Sequence, residues 1–228
     1  MSILCTLCMR GGSKGIKGKC IQLINNKYLF VHTLNQLKKI NFIDNVVVST
    51  DSKKIFNLTQ KYGIHNWFLR SKNLSLDNSP KIPVIRDALI RSESYYKKKF
   101  DIIIDLDVTS PLRQESDIKK AYKKFIDEKA DILFSVNKSK KNPYFNMVEI
   151  RNNKVNLIKK NNIIKRRQDA PKVYDMNASI YIWKRESLLR NNTLFTKKTV
   201  IYEMPEERSI DIDTLLDLKI VEFLIKNK

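Results

Sequence analysis

A chain of 228 residues with 42% hydrophobic content is long enough for one domain with a sizeable core, and its apolar runs fall far short of the roughly 20 residues of a membrane span. The 44 Lys and Arg against 24 Asp and Glu give a formal net charge of +20, which admits a nucleic-acid-binding surface. The cations are nevertheless spread along the whole chain, the densest run being Lys159 to Arg167, so a solvated lysine-rich surface accounts for them without a specific nucleic acid. Cys5, Cys8 and Cys20 are odd in number and crowd one end, which argues against a disulfide framework. Cys5 and Cys8 have the spacing of a zinc pair, but no second pair follows, and three residues apart on a strand they point to opposite faces, as buried structural cysteines do. The residues before Cys8 lack the positively charged flank of a secretory signal, so the expected compartment is cytoplasmic.

The elements alternate, which favours an α/β sheet with helices on its faces. Ile3 to Met9 is strand-like, a glycine-rich loop follows, and Leu29 to Ile40 has helical spacing in Leu29, His32, Thr33, Gln36, Leu37 and Ile40. Val46 to Ser49 is a second strand, and Asp51 or Ser52 caps a helix that runs to about Tyr62 and stops at Gly63. Trp67 to Leu69 is expected as a short third strand and Ile82 to Tyr96 as a helix. Ile102 to Leu106 is almost wholly apolar, as in a sheet covered on both faces.

Ser110 to Arg113 is a loop, and Asp117 to Glu128 an amphipathic helix with Ile118, Ala121, Tyr122, Phe125 and Ile126 on one side. Another strand spans Ile132 to Val136. From Ser139 to Tyr174 the pattern turns polar, with strand candidates at Val148 to Arg151 and Val155 to Ile158 around Asn152-Asn153, the best candidate for an insertion or flap in an otherwise single domain. A core strand returns at Ala178 to Trp183, and Thr214 to Lys226 is a final helix.

Gly11, Gly12, Gly15 and Gly18, four of the five glycines, fall within eight residues directly after the first strand, among Arg10, Lys14, Lys17 and Lys19. A backbone of this kind approaches a ligand closely, and the four cations make that ligand anionic, with charge enough for a triphosphate. A basic surface turn is the bland alternative. The loop is not a Walker A sequence, since six residues rather than four separate Gly11 from Gly18-Lys19 and Cys20 stands where a metal-binding Ser or Thr belongs, and it has no Gly-x-Gly of a dinucleotide fingerprint. Two Asp-x-Asp pairs, Asp105 with Asp107 and Asp211 with Asp213, place carboxylates on one side of an extended backbone, where each pair can converge on a cation. Magnesium favours such a donor set completed by phosphate oxygens. Asp213 can equally cap the last helix, and Asp105 can be a strand-end residue bonded to backbone. An anion loop and a cation site together imply metal-assisted phosphoryl or nucleotidyl transfer.

Arg10-Gly-Gly-Ser-Lys-Gly-Ile with Lys19, Val48-Ser-Thr-Asp51, Thr109-Ser-Pro-Leu-Arg113, Asn177-Ala-Ser-Ile-Tyr181 and Ser209-Ile-Asp-Ile-Asp213 resemble, in order and spacing, the acylneuraminate cytidylyltransferases, the CMP-sialic acid synthetases. Pro83 to Leu89, Asn142 to Asn146 and Tyr174 to Tyr181 make the bacterial CMP-legionaminic acid synthetases the nearest branch. The resemblance implies a three-layer, Rossmann-like nucleotidyltransferase fold with a mostly parallel sheet and a small dimerisation insertion at 139–174, hence a homodimer. It implies CTP on the first loop, with Arg10, Gly11, Gly12, Ser13, Lys14 and Lys19 at its phosphates and Arg70, Asp77 and Lys81 near the cytidine. Magnesium or another divalent cation would be held by Asp211 and Asp213, and the anomeric hydroxyl of a nonulosonic acid would attack the α-phosphorus. Arg167 is the candidate for the sugar carboxylate, with Asn177 and Tyr181 lining the sugar pocket. Asp107 stands where the sialic acid enzymes commonly have Gln, so it can join Asp211 and Asp213 at the metal. Asp175 replaces an arginine of the family's Arg-Pro-Asn-Gly segment, which favours a 9-carbon sugar other than N-acetylneuraminate. Readings left open are a CMP-Kdo or CMP-pseudaminate synthetase, a sugar 1-phosphate nucleotidyltransferase and a basic nucleic-acid-binding module.

Overall fold

The computed structural model describes residues 1–13, 15–159, 164 and 166–227. Lys14, one of the loop cations expected at the phosphates, lies outside the described residues. The first strand, β1 (Ile3–Cys8), is buried along nearly its whole length, and the chain then passes through the glycine loop into a small hairpin, β2 (Leu23–Ile24) and β3 (Lys27–Tyr28). Its turn residues Asn25 and Asn26 both take left-handed φ, at 49° and 59°. Helix α1 (Leu29–Leu37), strand β4 (Asn45–Ser49) and helix α2 (Lys53–Lys61) follow, α2 being capped by Ser52, whose Oγ accepts from Ile55 N at 3.4 Å.

After an irregular stretch come α3 (Lys81–Tyr96), β5 (Ile102–Leu106), α4 (Glu115–Asp127) and β6 (Ile132–Lys138). The 139–174 region carries its own two-stranded ribbon, β7 (Val148–Arg151) with β8 (Lys154–Leu157). Strand β9 (Tyr174–Lys184), helix α5 (Arg185–Arg190), strand β10 (Thr199–Glu203) and helix α6 (Leu215–Lys226) complete the chain.

Six strands form one sheet in the order β10-β6-β9-β5-β1-β4, in which β9 alone runs against its neighbours. Alternation along the strands sends Ile3, Cys5, Leu7, Ile102, Ile104 and Leu106 to one face, against Phe30 of α1, Ile55 of α2 and Ile118 and Phe125 of α4. The other face presents Leu4, Val47, Ile103 and Trp183 to Ile85 and Leu89 of α3 and Leu188 of α5. This is the three-layer α/β architecture with a mostly parallel sheet expected from the sequence. Cys5 and Cys8 do face opposite ways, Cys5 in the first cluster and Cys8 against the second, and all three cysteines are free thiols.

The expected strand at Trp67 to Leu69 is absent. Here the chain has no regular structure and lies outside the sheet; Trp67 instead stacks on Tyr95 of α3 at 4.3 Å between ring centroids, so aromatic packing rather than a hydrogen-bonded ladder explains its apolar pattern. The strand expected from Ala178 begins earlier, at Tyr174, because a register shift against β6 carries the pairing across an irregular stretch. Asp213 is not the helix cap: Thr214 fills that position in a capping box with Asp217, its Oγ1 accepting from Asp217 N at 3.2 Å.

Candidate active site

Parallel strands bring their C-terminal ends to one side of the sheet, where open α/β folds bind ligands. There the loop after β1 is wedged between two segments. On one side Gly11 N donates to Asp51 Oδ1 at 2.8 Å, and a Cβ at Gly11 would stand 2.8 Å from Ser52 Cβ. On the other, a Cβ at Gly15 would stand 2.2 Å from the carbonyl oxygen of Asp213. Gly18, at φ 63°, starts the short helical turn that carries Lys19. A Cβ at Gly12 would meet nothing within 4 Å among the described residues, and Ser13 is half-buried in the same loop.

A cleft of about 290 Å³ opens beside this loop, and it gathers Arg10, Lys19, Arg70, Asp77, Lys81, Asp107, Asp211 and Asp213. Arg10 Nη1 pairs with Asp77 Oδ1 at 2.8 Å, and Lys19 Nζ with Asp213 Oδ1 at 2.8 Å. Arg70 is buried, its Nε donating to Ser75 Oγ at 3.2 Å with Nη2 3.8 Å from Asp51 Oδ1. Lys81, in the first turn of α3, reaches 3.0 Å from both Asp105 Oδ2 and Asp107 Oδ2 and lies 4.4 Å above the Tyr181 ring.

These charges shape each other. Burial works against the Lys81 ammonium, yet Asp105 and Asp107 outweigh it and hold Lys81 well above its ordinary pKa. Burial likewise opposes the Asp107 carboxylate, and Lys81 together with Thr109, which donates N and Oγ1 to Asp107 Oδ1 at 3.2 and 2.9 Å, keeps it below the usual value. Asp211 goes the other way: burial first, then the neighbouring Asp107 charge, push it up to about 6. Among the described residues its Oδ1 is buried with no hydrogen-bond partner, although the nearby Thr109 hydroxyl tempers the upward shift of the carboxyl.

Asp105 does turn to the same cation as Asp107, but that cation is Lys81, and Asp105 is fully buried with Thr6 Oγ1 donating to it at 2.6 Å. Among the described residues no group of three or more His, Cys, Asp or Glu side chains is placed to hold a metal ion, while Asp107, Asp211 and Asp213 line the same cleft. The sugar-side residues are dispersed. Arg167 lies on a separate groove with Lys138, Asn142 and Pro171, its Nη2 donating to Lys140 O at 2.8 Å. Asn177 is only 4% exposed and lies behind the cleft. Tyr181 meets the cleft through Lys81 and is otherwise stacked on Trp183 at 5.5 Å.

Sequence reasoning gave no role to Arg113, which is almost fully buried beneath Asp107. Its Nη1 donates to Asp107 O at 3.0 Å and Ser179 O at 2.7 Å, Nη2 to Thr33 Oγ1 at 3.0 Å, and Nε to Gln36 Oε1 at 3.0 Å. Burial lowers it to about 10. Its place within Ser-Pro-Leu-Arg was the only signal, and nothing in the residue pattern tells a buried clamp from a ligand.

The whole fold superimposes on that of a CMP:2-keto-3-deoxy-manno-octonic acid synthetase solved in complex with CTP, with a TM-score of 0.71 at 15% identity, covering 100% of this chain and 99% of that one. It also matches a 4-diphosphocytidyl-2C-methyl-D-erythritol synthase from Anaerococcus prevotii, with a TM-score of 0.67 at 13% identity over 99% of this chain and 96% of that one. The chain thus shares the α/β fold of these two proteins. The sequence profile of the cytidylyltransferase family matches residues 4–226, and the chain belongs to that family. It is 48% identical over 226 residues to the CMP-N,N'-diacetyllegionaminic acid synthase of Campylobacter jejuni and 47% identical to the post-translational flagellin modification protein B of Campylobacter coli, in each case over 99% of this chain and 96% of the relative. A pseudaminic acid cytidylyltransferase of Campylobacter jejuni is 29% identical over 99% of this chain and 97% of the relative.

Proposed function

We propose that this cytidylyltransferase activates a nonulosonic acid of the legionaminic type with CTP, giving the CMP-sugar and pyrophosphate. The observation that carries the reading is the 48% identity, end to end, with a CMP-N,N'-diacetyllegionaminic acid synthase, against 29% with a pseudaminic acid cytidylyltransferase. The cleft supports it: Arg10 and Lys19 flank the glycine loop, so a triphosphate laid along Gly11 to Ser13 meets two cations whose present partners, Asp77 and Asp213, are exposed carboxylates. Arg70 and Lys81 stand farther along the same cleft, where the cytidine would lie.

In the reaction the anomeric hydroxyl oxygen of the sugar attacks the α-phosphorus of CTP. A new P–O bond forms, the bond from the α-phosphorus to the bridging oxygen breaks, pyrophosphate leaves and the hydroxyl proton is released. Arg10 and Lys19 neutralise the charge that grows on the departing phosphates. The buried Oδ1 of Asp211 and the exposed carboxylate of Asp213 are hard oxygen donors of the kind magnesium takes when phosphate oxygens and water supply the rest. When bound there, such a cation supplies Lewis-acid charge to the α-phosphate and the pyrophosphate oxygens.

A homodimer built on 139–174 belongs to the same reading. The β7–β8 ribbon has one apolar face, with Val148, Ile150 and Val155 between 61% and 72% exposed, and a lone ribbon of this size is marginal in water unless something covers it. We place the enzyme in the cytoplasm with its soluble substrates; no helix among the described residues is long and apolar enough to cross a membrane.

The test is pyrophosphate release with CTP and magnesium across N,N'-diacetyllegionaminate, pseudaminate, N-acetylneuraminate and Kdo. Turnover greatest with the legionaminate supports the reading; preference for Kdo or pseudaminate moves it to the neighbouring synthetases, and no turnover with any of the four sinks it.

A further inference from the structure

Behind the cleft, the pairing of β6 with β9 slips: Phe134 faces Tyr181 while Val136 faces Met176, so Ser135 alone stands opposite the stretch from Asn177 to Ile180. In the middle of that bulge Ala178 has φ 51°, a left-handed conformation that a residue with a Cβ keeps only where its surroundings impose it. They do so here. Ser135 Oγ donates to Asn177 Oδ1 at 2.6 Å and accepts from Ile180 N at 2.8 Å. Asn177 Nδ2 donates to Ser209 Oγ at 3.0 Å, and Ser209 Oγ in turn donates to Pro205 O at 2.8 Å.

The bulge touches both carboxylate segments. Toward β5, Asp107 N donates to Ser179 O at 3.2 Å, and Arg113 Nη1 clamps Ser179 O and Asp107 O together. Toward the C-terminal segment, the Ser209 hydroxyl held by Asn177 stands two residues before Asp211. Asn177 is 4% exposed and its amide is occupied at both ends, so no polar atom is left for a sugar.

We infer that Asn177 is a positioning residue: through the β9 bulge and Ser209 it sets where Asp211 stands relative to Asp107 across the cleft, and it does not contact the sugar. This rests on the reading of Asp211 as a carboxylate that serves the triphosphate and its cation. Groups that orient metal-binding carboxylates change affinity or activity by about 10–100-fold when removed, without touching substrate. Residues of one network do not lose function additively.

The experiment measures kcat, the KM for sugar and for CTP, and the magnesium concentration at half-maximal rate, for wild type, Asn177→Ala, Ser135→Ala, Ser209→Ala, Ser209→Thr and the double variant Asn177→Ala with Ser209→Ala, each with its Tm. The expected pattern is a kcat lowered by about 10–100-fold in the three alanine variants. A higher magnesium requirement accompanies it, the sugar KM is unchanged, the double variant is no worse than the worse single, and Ser209→Thr is restored by its retained hydroxyl. A raised sugar KM with kcat intact in Asn177→Ala makes it a sugar ligand and overturns the inference, as do additive losses or an unchanged kcat. Should Asn177→Ala fail to fold, Ser209→Ala against Ser209→Thr reads the same network from its other end. An inactive wild type overturns the functional reading itself, and is thereby distinct from an active wild type whose variants break the pattern.

Discussion

Lys81 Nζ lies 3.0 Å from Asp107 Oδ2 and equally close to Asp105 Oδ2, so one ammonium from the first turn of α3 closes both carboxylates at the end of β5. Asp105 is fully buried, and removing the partner of a buried charge leaves it uncompensated, which is far more costly than never having built the pair. Lys81→Met is therefore expected to lower stability by roughly 3 kcal/mol at neutral pH, in the range for breaking a buried ion pair and toward its low end because Lys81 remains partly exposed. Urea denaturation measures it. A double variant, Lys81→Met with Asp107→Asn, should recover part of the loss, and a loss as large in the double variant as in the single refutes the compensation.

Asp211 yields a pH dependence of opposite sign to the usual carboxylate. Its folded-state pKa, about 6, lies above the ordinary 3.8, so between those values the folded protein holds a proton that the unfolded chain has released. Stability contributed by the protonated group is complete below about pH 4 and is lost as pH rises through 6. At pH 7 in the absence of divalent cation, Asp211→Asn should be more stable than wild type by roughly 1–3 kcal/mol, the free energy of such a shift, while turnover is abolished. Thermal melts in EDTA at pH 4 and pH 7 check it: the two proteins should converge at the lower pH, and equal Tm values at both would refute it.

Gly15 and Gly12 separate two uses of glycine within one loop. At Gly15 a methyl would meet the Asp213 carbonyl at 2.2 Å, a contact that backbone has to yield to relieve. Gly15→Ala is thus expected to displace the loop or the Asp211 to Asp213 segment and to cut kcat by about a hundredfold, as misplacement on the scale of an ångström does. Gly12→Ala meets nothing within 4 Å among the described residues and should leave the Tm of the free protein unchanged; any effect on the KM for CTP then reports contact with the triphosphate. Steady-state kinetics with melts on both variants decides, and equal kcat losses would refute the distinction.

The fold is legible in the sequence because its signals are local. The buried runs Ile3 to Met9 and Ile102 to Ile104, the Ser52 cap and the Asn152-Asn153 turn each state their element within a few residues, and the glycine loop stands out through its own four cations. The Trp67 stretch misleads because an apolar triplet records burial, not the partner that buries it. The site is half legible for a similar reason. Charged residues that line the cleft are chemically conspicuous, whereas Arg113, Ser135 and Ser209 act through bonds to residues 66, 42 and 32 positions away, a separation no spacing rule reaches. Lys81 as the common partner of Asp105 and Asp107 is equally hidden: the i, i+2 spacing correctly puts the two carboxylates on one side, but does not say which cation they meet.

Ala178 offers a way to tell local strain from active-site geometry. A left-handed φ of 51° at alanine costs about 1–2 kcal/mol relative to a residue without Cβ, and glycine gives back part of the gain through the greater freedom of the unfolded chain. Ala178→Gly should therefore raise stability by roughly 0.5–1 kcal/mol, visible as a Tm increase of about 1–4 °C for a chain of this size. Because Asn177 and Ser179 keep their bonds to Ser135, Ser209 and Arg113, kcat should stay within twofold of wild type. A lower Tm would mean that the alanine methyl packs more favourably than its backbone is strained, and a large fall in kcat at raised Tm would mean that the strain itself, rather than the bonds around it, holds the carboxylates in place.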